Sequence, residues 1–407
     1  MGIADKIFGS ARDRFGKEVA ARVLALDGVA RTAYDAGKFQ VLVYRSAEDE
    51  TPGIITLNMT FQETAKASAA DRKAAIARLV DAAALPPTPD SWEHARPLLR
   101  PVLRPPVHNP KIGVVSRPAV RYLSEMLVVD SPSALKYVGP KDLATWGVTA
   151  DEAFAAAHRN LARPVIETLD SARARAASHP DLAGRPTRLE ESGDHYVTSL
   201  PLVDGWLATL QQVAGARPLA FPTSNSVLLL AYESADPEDV AARIRDAERE
   251  WTESARPICP APITVDDRGV VGLYEVPADH PAHPAVKHAA ILLAMSSYGP
   301  QTEYLRTVAE SESEYPFPAA LKGFRSPVGE EFTGTTWTDG IESLLPEADF
   351  VFFPQEGEEL LQVPWEVVAE EAGLLPEEGF HPLRYRVGSW PAPEAMERMK
   401  GRATVLA

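Results

Sequence analysis

Residues 122–164 read YLSEMLVVDSPSALKYVGPKDLATWGVTADEAFAAAHRNLARP, and this stretch decides the fold class. Glu125–Val129 is an apolar run closed by the polar turn Asp130-Ser-Pro-Ser133, and Ala134–Val138 resumes as a second run, which predicts a hairpin. Pro140 suits a first helical position, and Gly147 suits the left-handed end of a short helix. Thr149 with Glu152 has capping-box spacing. Ala150, Phe154, Ala157 and Leu161 then step by four, three and four, so they form one inward face, and Pro164 is expected to stop the helix. Hairpin followed by capped helix is the unit of an α+β fold.

The same unit recurs on either side. Ile3, Ile7, Ala11 and Phe15 predict an amphipathic helix, and residues 39–44 and 53–59 predict strands around Glu48-Asp-Glu50. Ser68 and Asp71 cap a helix carrying Ile76, Leu79, Val80 and Ala83. Further on, residues 187–202 predict one or two strands, and Trp206, Leu207, Leu210 and Val213 predict a helix ending at Gly215. Residues 218–222 and 227–232 read as strands around Thr223-Ser-Asn-Ser226. Asp236-Pro237 opens a helix carrying Val240, Ile244, Ala247 and Trp251. Asp266-Asp-Arg-Gly269 is a hairpin turn between residues 263–265 and 270–276.

The expectation is therefore several two-layer hairpin-plus-helix modules with mixed or antiparallel sheets. They divide into an N-terminal module (1–84), a Pro/Arg-rich extended connector (85–120), a central α+β domain (121–277) and an acidic C-terminal α+β region (278–407). In the connector Arg96-Pro97, Arg100-Pro101 and Arg104-Pro105 repeat with period four, so helix is excluded and Leu98, Leu99, Val102 and Leu103 pin an extended chain. In the last region Pro284–Ser297 predicts a buried helix, Pro300 a second helix through Val308, Phe350–Phe353 a strand, Pro364–Gly373 a helix and Arg384–Val387 a strand.

The order of elements in 122–163, then LAFPTSNSVLLLAYE (219–233), a helix and the hairpin PITVDDRGVVGLYEV (262–276), resembles the uncharacterised YtpQ-type family of bacterial proteins, the domain of unknown function numbered 1444. The resemblance covers pieces of residues 30–277 and implies a cytosolic α+β protein without carrying over any catalytic residue; Glu167–Gly184 and everything after 278 depart from it.

Composition narrows the chemistry. The chain of 407 residues holds a single cysteine, Cys259, so neither a disulfide framework nor a thiolate metal cluster is available. No apolar run approaches bilayer-spanning length, the N-terminus lacks an export signal, and Lys6 replaces the Ser or Thr of a myristoylation site; the expectation is a cytoplasmic protein with no membrane contact. Net charge is −16, divided as +4 over residues 1–125, −8 over 126–302 and −12 over 303–407. Such an acidic chain repels phosphate backbones, so nucleic acid is not an expected partner. The basic strip between His94 and Ser124 carries six basic and no acidic residues, but no aromatic interleaving on which bases would stack.

Hydrolase-elbow, phosphate-loop, dinucleotide and zincin motifs are all absent, and no cofactor is expected. The densest titratable cluster is Asp279, His280, His283 and His288, candidates for a metal site in a metal-dependent enzyme. Asp194-His195 alternate across a strand, which argues against a dyad; Ser224 and Ser226 suit a turn; and Cys259 suits a small semi-buried position. Trp337, Trp365 and Trp390 suit core or seam positions. The leading expectation is a non-enzymatic, adaptor- or immunity-like protein that meets a basic protein partner through its acidic C-terminal surface.

Overall fold

The computed structural model describes residues 11–44, 53–64, 67–83, 89–131, 134–179, 184–190, 196–355 and 360–403. Within them the chain is α+β, with twelve α-helices and five small antiparallel or mixed sheets. Ile3 and Ile7, the Glu48-Asp-Glu50 turn, Pro132-Ser133 and the Asp194-His195 pair lie outside the described residues. The residues fall into two compact units, one of 1–99, 128–137 and 144–148, the other of 100–127, 138–143 and 149–407.

In the first unit the helix Ala11–Leu24 packs Phe15, Val19 and Val23 against Phe39, Val41, Leu57 and Ile76. The strands Arg31–Asp35, Gln40–Tyr44 and Gly53–Thr56 form an antiparallel sheet, with Ala33 opposite Leu42 and Val41 opposite Ile55. Glycine is required at position 16: a Cβ there would stand 2.1 Å from the Tyr34 ring. The expected strand 53–59 stops at Thr56, because Asn58–Thr64 turns into a helix whose Thr64 hydroxyl donates to the Thr60 carbonyl. Ser68 caps the helix Ala69–Ala83, its Oγ accepting from the Asp71 N–H at 3.2 Å. The predicted hairpin is present, with Val128 opposite Tyr137.

In the second unit the capping box is complete. Thr149 Oγ1 accepts from Glu152 N–H at 3.2 Å and the Glu152 carboxylate accepts from Thr149 N–H at 2.8 Å, an arrangement that contributes about 1 kcal/mol. Pro164 does not end the helical chain as expected. The helix Ala150–Asn160 closes at Leu161, and Ala162–Ser178 begins at once with Pro164 in its first turn, where a missing N–H costs little. A five-stranded antiparallel sheet follows, in the order Val271–Leu273, Ile263–Val265, Pro218–Phe221, Val227–Tyr232 and Thr187–Glu190. Gly269 closes its hairpin at φ +82°, and Asp236 caps the helix Pro237–Glu253 by accepting from Glu238 N–H at 3.0 Å. Residues 197–202, expected as strand, form a 3-10 helix.

The expected pair of helices around Pro300 is one helix, His283–Ser311. An interior proline costs about 3 kcal/mol, but the helix buries Val286, Ile291, Leu293 and Leu305, each contributing roughly 1.5–3 kcal/mol. Burial wins, and the helix continues. Because Val286, Ala289, Leu293, Ala294 and Tyr298 share a core with Leu219, Phe221, Trp206 and Ile263, the central and C-terminal segments read separately from the sequence sit in one compact unit.

The C-terminal portion adds two mixed sheets. One orders Phe317–Pro318, Ser343–Pro346, Arg384–Val387 and Pro376–Glu377; the other orders Lys322–Arg325, Glu331–Thr336, Phe350–Phe353 and Leu361–Pro364. The helices Trp365–Ala372 and Pro393–Gly401 cover a core of Val351, Phe353, Val363, Val368, Met396 and Met399. Trp337 and Trp365 are buried as expected, and Trp390 Nε1 donates to the Trp337 carbonyl at 3.0 Å. No helix among the described residues is long and apolar enough to cross a membrane.

Candidate functional site

The histidine cluster does not assemble. His280 Nδ1 accepts from Ala282 N–H at 3.1 Å, folded back on its own turn, and Asp279 is exposed. His283, the first residue of the long helix, lines a small cavity of about 260 Å3 with Arg121, Lys287, Glu347 and Asp349. Those charges already pair as Arg121–Glu347 at 2.7 Å and Lys287–Asp349. His288 lies between Glu331 and Glu248. Burial opposes its protonation, but the two carboxylates outweigh burial and hold it above its ordinary value. The helix begins at His283 with Pro284 at its second position, and His280 belongs to the turn before it. Among the described residues no group of three or more His, Cys, Asp or Glu side chains is placed to hold a metal.

Cys259 is fully buried rather than half-buried, and burial pushes its thiol up to about 12, so it is inert at neutral pH. Ser224 accepts from the Ser226 N–H, a turn bond as expected.

A larger cavity lies elsewhere. A cleft of about 800 Å3 is bounded by the loop around His108, by Ser116–Pro118, by one face of the long helix (Gln301, Tyr304, Val308), by Glu312 and Tyr315 beyond that helix, and by Phe380 and His381. Its size is that of a ligand pocket. The long helix positions Gln301, Tyr304 and Val308 on one face because they stand three, four and seven residues apart.

The walls are held by bonds that run inward. His381 Nε2 donates to the Leu123 carbonyl at 2.8 Å, so in the neutral ring Nδ1 is an acceptor. The Ser297 backbone beside His108 favours its protonated form, against burial. Burial depresses both imidazoles; for His108, with Arg384 and His381 adding to the effect, the value falls to about 4. Both rings are neutral at pH 7.

Gln301 is fixed from behind. Its Nε2 donates to the Pro382 carbonyl and its Oε1 accepts from Arg384 Nε. Arg117 is tied to the buried Glu125 carboxylate at 2.7 Å, and its guanidinium lies 4.1 Å over the Phe154 ring. His158 shares that carboxylate. Burial pushes the Tyr315 hydroxyl up, with Tyr304 and Glu312 adding to the effect, so it stays protonated.

A pH dependence follows from His108. Its folded value lies below the ordinary value of about 6.5, so the unfolded chain binds more protons; this contribution to stability is complete above pH ~6.5 and is lost as pH falls toward 4. His108→Gln should therefore flatten the acid limb of the urea midpoint between about pH 6.5 and 4. An unchanged limb would show that the ring is not held neutral.

None of His108, Gln301, Tyr304, Tyr315 and His381 stands out in the sequence, since they come from segments far apart in the chain. The one local cue was the proline spacing that leaves His108 in an irregular loop.

No family model, no curated protein and no solved structure matches this chain.

Proposed function

We propose that this chain acts by contact with another protein, as a non-enzymatic adaptor- or immunity-like component, and that its acidic C-terminal surface meets a basic partner. Of the eight basic residues in 303–407, five are engaged by the region's own carboxylates: Arg325 by Glu331, Arg386 by Glu342, Arg398 by Glu371, Lys400 by Glu397 and Arg402 by Glu370. A sixth, Arg384, is wholly buried. Glu303, Glu310, Glu312, Glu314, Glu330, Glu378 and Glu394 nevertheless stand exposed with no ion pair among the described residues.

The observation that carries the reading is where four of these lie. Glu310 lies in the last turn of the 29-residue helix His283–Ser311 and Glu312 is its C-cap, with Glu314 just beyond and Glu303 further back in the helix. Backbone carbonyls already make that end negative, so acids in or beside the last turn cost about 0.3–1 kcal/mol each. Carboxylates kept where they lower stability are explained by work done outside the fold.

The test is association at low and high salt with the partner retained from the native cell. Glu303→Gln/Glu310→Gln/Glu314→Gln should slow association about tenfold at low salt without loss of stability. Unchanged association in the triple variant would contradict the proposal.

A further inference from the structure

We infer that the cleft between the long helix and the His108 and His381 loops is a socket for one arginine side chain of the partner protein. The inference rests on the proposed basic partner and adds where that partner inserts and through which residue.

Three aromatic side chains, Tyr304, Tyr315 and Phe380, line the cleft together with the Glu312 carboxylate. Aromatic faces attract cations, and a planar guanidinium both stacks on them and bonds a carboxylate with two parallel N–H groups.

The bonding capacity left on the walls has the matching sign. His381 spends its one N–H on the Leu123 carbonyl, so what remains on its ring is a lone pair. Gln301 is used at both ends, by Pro382 and by Arg384. An anion would need donors. Arg117 is neutralised by Glu125. Arg384 lies behind Gln301, and its guanidinium donates to Gln301, Ala319, Leu344 and Thr302 with no surface exposed. Its charge reaches Tyr315 and His108, but its N–H groups do not reach the cleft. The exposed Glu312 carboxylate, which lines the cleft, opposes it. The Tyr304 and Tyr315 hydroxyls and the second N–H of Gln301 Nε2 can still donate, so it is the π faces and the Glu312 carboxylate, not a lack of donors, that favour a cation with several N–H groups.

The experiment uses the full chain labelled with 3-fluorotyrosine, with the Tyr304 and Tyr315 resonances assigned from the Tyr304→Phe and Tyr315→Phe variants. The probes are N-acetyl-arginine amide and N-acetyl-citrulline amide, which share shape and differ in charge. The arginine probe should shift both resonances and saturate, with the citrulline probe at least about tenfold weaker. Glu312→Gln, which removes one exposed charge and no packing, should weaken the arginine probe about fivefold.

Equal binding of the two probes, or no shift at either tyrosine, would overturn the socket. If the socket fails while Glu303→Gln/Glu310→Gln/Glu314→Gln still removes salt-sensitive association, the acidic surface stands and only the cleft inference falls. If the probe binds but no salt-sensitive protein partner exists, the cleft takes a free guanidino compound, and both the partner and this inference are overturned.

Discussion

Arg384→Met should lower stability by about 3–5 kcal/mol, the cost of breaking a buried polar network by removing its central member. The side chain is wholly buried on a strand that crosses the C-terminal sheet. Its Nε donates to Gln301 Oε1 at 2.7 Å, Nη1 to the carbonyls of Ala319 at 2.6 Å and Leu344 at 2.9 Å, and Nη2 to Thr302 Oγ1 at 2.6 Å. The Tyr298 ring stands 5.3 Å from the guanidinium carbon. No carboxylate is among these partners. Burial pulls the guanidinium down to about 10, which still leaves it charged at pH 7.

Methionine fills similar space but leaves Gln301 Oε1, the Ala319 carbonyl and Thr302 Oγ1 without the donor they had, each costing about 1–3 kcal/mol before relaxation, while the Leu344 carbonyl keeps the Ala319 N–H. Arg384→Lys should not rescue, because three N–H groups on a point charge cannot reach four oxygens spread over a helix, a strand and the Ala319 segment. Urea unfolding followed by tryptophan fluorescence reads the change. A Met variant within about 1 kcal/mol of the parent would show that the charge contributes nothing net.

The second large effect is at Glu125. Its side chain is 4% exposed, and its two oxygens meet Arg117 Nε at 2.7 Å and His158 Nε2. Glu125→Ala leaves the Arg117 guanidinium and the His158 ring without their shared carboxylate around an apolar hole. Because Arg117 is 41% and His158 25% exposed, water recovers part of their solvation, and the expected loss is about 2–3 kcal/mol rather than the full buried-pair figure. A double-mutant cycle with Arg117→Met should return a coupling of about 1 kcal/mol or more. Additive losses would show that the pair is incidental.

How much of this is legible without the structure depends on the range over which the deciding forces act. Thr149 with Glu152, Asp236 with Pro237, and Asp266 to Gly269 are decided within four residues, and each forms as its spacing predicts. The prolines mislead because their cost is local while the compensation is not. Pro164 falls in a first turn, and Pro300 sits in a helix fastened through Tyr298 to one core and through Gln301 and Thr302 to Arg384.

The strands Lys322–Arg325 and Glu331–Thr336 carry no alternating pattern to read. They pair with each other, and Gly334 fits because a Cβ there would stand 2.3 Å from the Phe352 ring. That close approach is between strands and has no signature along the chain.

The acidic C-terminal surface follows from composition, since counting charges needs no coordinates. The cleft does not. Its residues come from near positions 108, 117, 301–315 and 380, and only tertiary packing gathers them. Nothing in RYRV shows that Arg384 is turned inward while Arg386 stays exposed. The cluster Asp279, His280, His283 and His288 illustrates the converse: nearness in sequence, with two helix-starting prolines between, is not nearness in space.

The central claim is that carboxylates on the C-terminal surface carry the function by meeting a basic protein. Its most direct measurement is the association rate of the retained partner across ionic strength, for the parent and for Glu303→Gln/Glu310→Gln/Glu314→Gln. The account predicts a rate that falls steeply between about 50 and 500 mM salt in the parent and a markedly flatter dependence in the variant. Identical salt dependences, or a partner whose association ignores salt altogether, would contradict it.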